Sequence, residues 1–245
     1  MLWLKAWLET RWRIVLASFM GVLLWGTPLL MIANGPARDP QRILPVLRLT
    51  LGNSGVLWAL VMPIMLAGSG IRTCLARPFT FEKGGDESTP FTLALPVTRT
   101  RLFAVRSVAG ILETAALLML FTLGIWLLLP EVVLSAHDDL RYLVGIGSWS
   151  LAAYAIAACL SLFAENGGQF RAGVLGLVAL FMLSFNGQLP GHARLRLLPQ
   201  SIDIFRDLVA PLVTHQIPWG AIIVAWGLTI VSFAAALSLI QRRDY

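Results

Sequence analysis

Residues 82–130 read EKGGDESTPFTLALPVTRTRLFAVRSVAGILETAALLMLFTLGIWLLLP. The first half is charged, basic towards its end, and broken by Pro90 and Pro96. The second half, residues 107–130, carries a single charge, Glu113. At about 1.5 Å of rise per residue, some 20 apolar residues cover the roughly 30 Å of a bilayer's hydrocarbon core. The stretch therefore places a polar segment of chain directly against a membrane span.

Working outward, five further runs of similar length contain no charge at all: 14–33, 49–71, 142–164, 172–189 and 217–240. In hydrocarbon the backbone must satisfy its own hydrogen bonds, so each run is expected to be a helix. The run 172–189 is the shortest and holds Gly173, Gly176, Asn186 and Gly187, which loosens its limits. Composition agrees, with 57% apolar residues, 13% charged residues and a mean hydropathy of +0.76. An ordinary soluble domain has about 45–50% apolar and about 25% charged residues. Too little polar chain remains to cover six such helices as a soluble core. The expected fold is all-α, a polytopic membrane protein of six transmembrane helices forming one domain over residues 1–245.

Charge sets the orientation. With the N-terminus inside, the inner side holds Lys5, Arg11, Arg13, Arg72, Arg77, Lys83, Arg99, Arg101, Arg106, Arg171, Arg242 and Arg243, twelve of the nineteen Lys and Arg residues. This obeys the positive-inside bias and puts both termini in the cytoplasm. The net charge of +6 is accounted for by anionic lipid at the inner leaflet. Residues 1–13, MLWLKAWLETRWR, interleave Trp3, Trp7 and Trp12 with Lys5, Arg11 and Arg13. That mixture suits the headgroup region and predicts an interfacial helix, and no small-residue cleavage site of a secretory signal follows it. Cys74 and Cys159 offer neither metal spacing nor a disulfide framework.

Two connections are long: 72–106 inside and 190–216 outside. In the inner one, Thr89 is a candidate N-cap with Pro90 at the first helical position. Phe91, Ala94 and Leu95 share a face at i, i+3, i+4 spacing, and Pro96 ends the helix. Thr98 is placed to cap the next helix, with Arg99, Arg101 and Arg106 expected at the membrane surface. The product is a short amphipathic helix lying beneath the bilayer. In the outer connection Ile202, Phe205, Leu208 and Val209 recur at helical spacing, between Pro199 and Pro211.

The run STPFTLALPVTRTRLFAVRSVAG resembles the cytoplasmic segment of type-2 ABC transporter permeases. In that family an acidic lead, a Leu-rich run, Leu-Pro-Val-Ser/Thr and several Arg precede a membrane helix. Six spans, inner termini, a longer outer loop before the last span and a basic tail match it as well. Pro90 and Phe91 stand where that family usually has Glu-Leu. The resemblance implies the permease subunit of an ATP-binding cassette exporter in a bacterial cytoplasmic (inner) membrane. Its implied partners are two ABC ATPase subunits, a second permease, identical or homologous, and membrane lipid. Thr89, Phe91, Leu93, Leu95 and Pro96 would form the coupling helix seated on the ATPase. Glu165, Gln169 and Arg171 of the inner turn ENGGQFR would make a second, smaller contact.

No G-x-x-x-x-G-K-[ST] motif occurs in the chain. ATP and magnesium would therefore be bound by the partner ATPase, and this chain is expected to hold no cofactor or metal and to catalyse nothing itself. Basic residues without an aromatic-studded polar domain argue against nucleic acid. Within the spans, Glu113 is an ionisable residue placed about two turns into the third run, where Arg72 or Arg77 is a candidate partner. An acid at mid-bilayer would cost about 2.5–3.5 kcal/mol. Asn53 and Ser54, between Gly52 and Gly55, suit close helix packing. They also resemble the G-x-S-G motif of rhomboid intramembrane proteases. That alternative needs a base beside Ser54, and His137, His192 and His215 all fall in outer connections. A membrane scaffold that recruits a cytoplasmic protein is the other alternative.

Overall fold

The computed structural model describes residues 11, 14–23, 26, 55–64, 66–67, 98–128, 136–163 and 219–243. All of them except Thr98 are helical, and no strand occurs among the described residues. Five helices result: α1 (Ile14–Leu23), α2 (Gly55–Ile64), α3 (Arg99–Leu128), α4 (Ala136–Phe163) and α5 (Trp219–Arg243). The last three contain segments long and apolar enough to cross a membrane, Thr100–Gly124, Leu140–Leu162 and Trp219–Arg242.

Helix α3 begins where Thr98 caps it. The Arg101 N–H donates to Thr98 Oγ1 at 3.3 Å, and the Leu102 N–H donates to the Thr98 carbonyl at 3.1 Å. These bonds occupy two of the donors that a helix start leaves without an intrahelical partner. The third apolar run, expected over 107–130, is thus part of a longer helix that starts eight residues earlier. Its first turn carries Arg99 and Arg101 and no acid, the wrong sign for the helix dipole.

Helices α3 and α4, about 45 Å and about 42 Å long, are joined through 129–135. Eight peptide steps reach at most about 29 Å, too short to return to the starting end. The two helices therefore run antiparallel. Helix α4 is the central column, and α5 packs along it more extensively than α3 touches either. Small residues make that approach possible: Ala152, Ala153, Ala155, Ala157 and Ala158 are buried in α4, and Ala221, Ala225 and Ala236 in α5.

Helices α1 and α2 complete the described bundle. The contact face of α1 is Ala17 and Gly21, four residues apart, while Val15, Phe19, Val22 and Leu23 point outward. A Cβ on Gly21 would overlap the Phe121 ring of α3 and stand 2.7 Å from Trp58 Nε1 of α2. Trp58 and Phe121 pack at 4.1 Å between centroids, and the Trp58 indole N–H donates to the Ala17 carbonyl at 2.9 Å. A buried indole needs such an acceptor. Ser150 Oγ of α4 lies 2.7 Å from the Ala59 carbonyl of α2 and 2.8 Å from Ile146 of its own helix. Its single proton joins α4 to α2 when it turns to Ala59.

Candidate functional site

Burial along α3 repeats with the helical period. Leu102, Phe103, Arg106, Ser107, Gly110, Glu113, Thr114, Leu117 and Leu118 face inward. Val108, Leu112, Met119, Leu120, Leu123 and Leu127 face outward, the last 73% exposed. A helix solvated by water shows the reverse, polar residues out and apolar residues in. Six large apolar side chains turned to water would forgo on the order of 10 kcal/mol of burial. Lipid as the outer solvent removes that cost, and ionisable residues then belong on the inner face. This inverted face and the three long apolar helices point to an integral membrane protein.

The polar residues of α3 form a seam inside the bundle. Arg106 is 7% exposed, Ser107 6%, Glu113 8% and Thr114 5%. Arg106 and Glu113 lie two turns apart on one face, and neither charge stands alone in the structure. Thr114 Oγ1 donates to its own helix at the Gly110 carbonyl, 2.8 Å away. Ser107 Oγ is buried with no hydrogen-bond partner among the described residues, a condition that costs about 1–3 kcal/mol.

Two readings change here. Arg106, expected at the membrane surface with Arg99 and Arg101, is buried, whereas Arg101 is exposed. The reason is helical phase: Arg106 is three and four residues from the buried Phe103 and Gly110, while Arg101 falls on the outer side. Glu113, expected two turns into its span, lies near the middle of the 30-residue α3, about 21 Å from its start.

Gly110 sits at the centre of the seam, where α3 meets α4. A Cβ added there would overlap the Tyr154 ring, with Cζ at 2.6 Å. The Tyr154 hydroxyl donates to the Arg106 carbonyl at 3.3 Å. One turn earlier, Phe103 meets Phe233 of α5 edge-on at 6.3 Å. Helix α3 is thus held by Phe233 near its start, by Tyr154 at Gly110, and by Trp58 at Phe121.

Of the residues expected to carry function, Thr89, Phe91, Leu93, Leu95 and Pro96 lie outside the described residues, as do Glu165, Gln169, Arg171, Asn53, Ser54, Arg72 and Arg77. Glu113 is the one that the described structure contains. The sequence reading missed Gly110, Tyr154, Trp58 and Ser150. A glycine midway along an apolar run and a tyrosine inside another were its only available signals. Among the described residues no group of three His, Cys, Asp or Glu is arranged to hold a metal ion. No protein-family model, curated protein or solved structure matches the chain.

Proposed function

We propose that this chain is the permease subunit of an ATP-binding cassette exporter in a bacterial inner membrane. It would have six spans with both ends in the cytoplasm. Two ATPase subunits would bind ATP and magnesium beneath it, and a second permease, identical or homologous, would complete the pathway. The segment 89–96 would act as the coupling helix.

One observation supports the reading beyond the sequence resemblance. Helix α3 starts at the Thr98 cap, two residues after Pro96, and continues without interruption to Leu128. A force applied to 89–96 would therefore enter a single rod about 45 Å long. Arginines at the start of α3, and Arg242 and Arg243 at the end of α5, suit one inner face. ATP-driven closure of the partners would bias the helices between two arrangements.

The test is purification from native membranes in mild detergent, followed by identification of the companions and measurement of ATP hydrolysis. An associated ATPase whose turnover rises with this chain, and no longer rises with Phe91→Asp or Leu95→Asp, is the expected result. Insertion should be unaffected in both variants. A companion with no nucleotide-dependent behaviour would favour the scaffold instead, and the absence of any ATPase would end the proposal.

A further inference from the structure

We propose that Gly110 and Tyr154 form the fulcrum on which α3 turns against α4. This rests on the permease reading, and it assigns positioning roles to two residues far from the coupling segment.

The argument begins with unequal packing. Helices α4 and α5 hold each other along an extensive alanine-lined face, whereas α3 meets that pair more sparsely. Among the described long helices the α4–α5 pair is therefore the firmer body, and α3 the one freer to move against it. At Gly110 the missing Cβ makes room for the Tyr154 ring, which a side chain there would overlap. The Tyr154 hydroxyl reaches the Arg106 carbonyl one turn earlier, so ring and hydroxyl together hold a single level of α3. Elsewhere α3 is held by ring-on-ring contacts, Phe103 with Phe233 and Phe121 with Trp58. Paired side chains can follow a tilt by turning about their own χ angles, whereas the backbone at Gly110 has no such freedom against the Tyr154 ring. Gly110 lies off-centre in α3, closer to Arg99 than to Leu128. A small displacement at the capped end thus becomes a larger, opposite one at the far end. Turning about this level would also carry the seam of Arg106, Ser107 and Glu113 relative to α4.

The experiment uses the purified complex with its native ATPase, reconstituted in lipid nanodiscs, in a Cys74→Ala, Cys159→Ala background. Spin-label pairs report each arm: Arg101→Cys with Leu160→Cys, and Leu127→Cys with Leu140→Cys. The arms from Gly110 are about 14 Å and about 25 Å. On trapping the ATPase with nucleotide and vanadate, the two distances should change in opposite directions, the second by nearly twice as much. Gly110→Ala should at least halve both changes, and Tyr154→Leu, which removes ring and hydroxyl together, should abolish their opposite signs. Tyr154→Phe, which keeps the ring but loses the bond to the Arg106 carbonyl, should keep the opposite signs and reduce both changes. Changes of the same sign would mean that α3 moves as a whole, overturning the fulcrum while the permease reading stands. Wild-type behaviour in Gly110→Ala, or no change in either distance, would overturn it equally. If no ATPase accompanies the chain, both proposals fall together.

Discussion

At the scale of single residues, the described bundle depends on a few polar groups that reach across helices. The Ser150 hydroxyl has the choice of Ala59 or Ile146 as acceptor. Interhelical hydrogen bonds in membranes average about 0.6 kcal/mol. Ser150→Ala should therefore lower stability by about that amount in an SDS-unfolding titration, and a loss above about 2 kcal/mol would show that more than this bond is at stake. Gly110 is less forgiving. Gly110→Val places a branched side chain where the Tyr154 ring stands, and overpacking typically costs about 1–3 kcal/mol. The same titration should show that loss, and Tyr154→Ala introduced alongside should recover part of it. Neither contact was legible beforehand. A glycine in an apolar run is compatible with a kink, a packing notch or nothing, and only the neighbouring helix decides. Arg106 teaches the same lesson from the other side. Its three- and four-residue spacing to Phe103 and Gly110 was visible, but which side of the helix faces the bundle depends on which solvent surrounds it.

At the scale of elements, the three long helices were well marked, because runs of some 20 apolar residues leave the backbone no alternative in lipid, while the run 172–189 lies outside the described residues. The start of α3 was marked too, by Thr98 after a proline. What misled was charge: Arg101 and Arg106 suggested that the span began only at residue 107, whereas the apolar span starts at Thr100, inside the helix that Thr98 was expected to cap. Long cationic side chains tolerate helix interiors, so they limit an apolar window without limiting a helix. Thr98→Ala removes the cap and should cost about 1 kcal/mol, seen as faster amide exchange over the first turn of α3 with the rest unchanged. For the α4–α5 pair, Ala225 is fully buried against the bundle. Ala225→Leu should destabilise by about 1–3 kcal/mol, whereas Ile230→Leu on the outward face should be neutral within error.

For the whole molecule, the antiparallel α3–α4 pair gives a direct topological expectation. Under the inner-terminus orientation, a cysteine at Thr100 should react with a membrane-impermeant maleimide only from the cytoplasmic side, and one at Asp138 only from the outer side. The Cys74→Ala, Cys159→Ala background keeps the readout clean, and labelling of both sites from one face would refute the hairpin. The functional reading had a different source from the fold. Apolar length and charge bias are consequences of lipid as a solvent and would be the same for a channel, a scaffold or a transporter. Only the sequence of the 82–106 stretch distinguishes among these, through its prolines, its leucines and its arginines, which is why its pattern and not the bundle carries the transporter proposal.

The inward-facing charges of α3 also bear on how the chain is made. Between Thr100 and Gly124 its Leu, Ile, Phe and Val residues favour leaving the translocon for lipid by roughly 0.3–0.6 kcal/mol each. Glu113 opposes this by about 2.5–3.5 kcal/mol near the centre, and Arg101 and Arg106 oppose it by less, being nearer the end. The two sums nearly cancel, so a nascent α3 on its own has little reason to partition sideways. Helix α4 follows within a few residues and offers Tyr154 to the very face that resists. Biogenesis should therefore wait for the second strand of the hairpin, and a ribosome stalled before α4 emerges should leave α3 still extractable by alkaline carbonate.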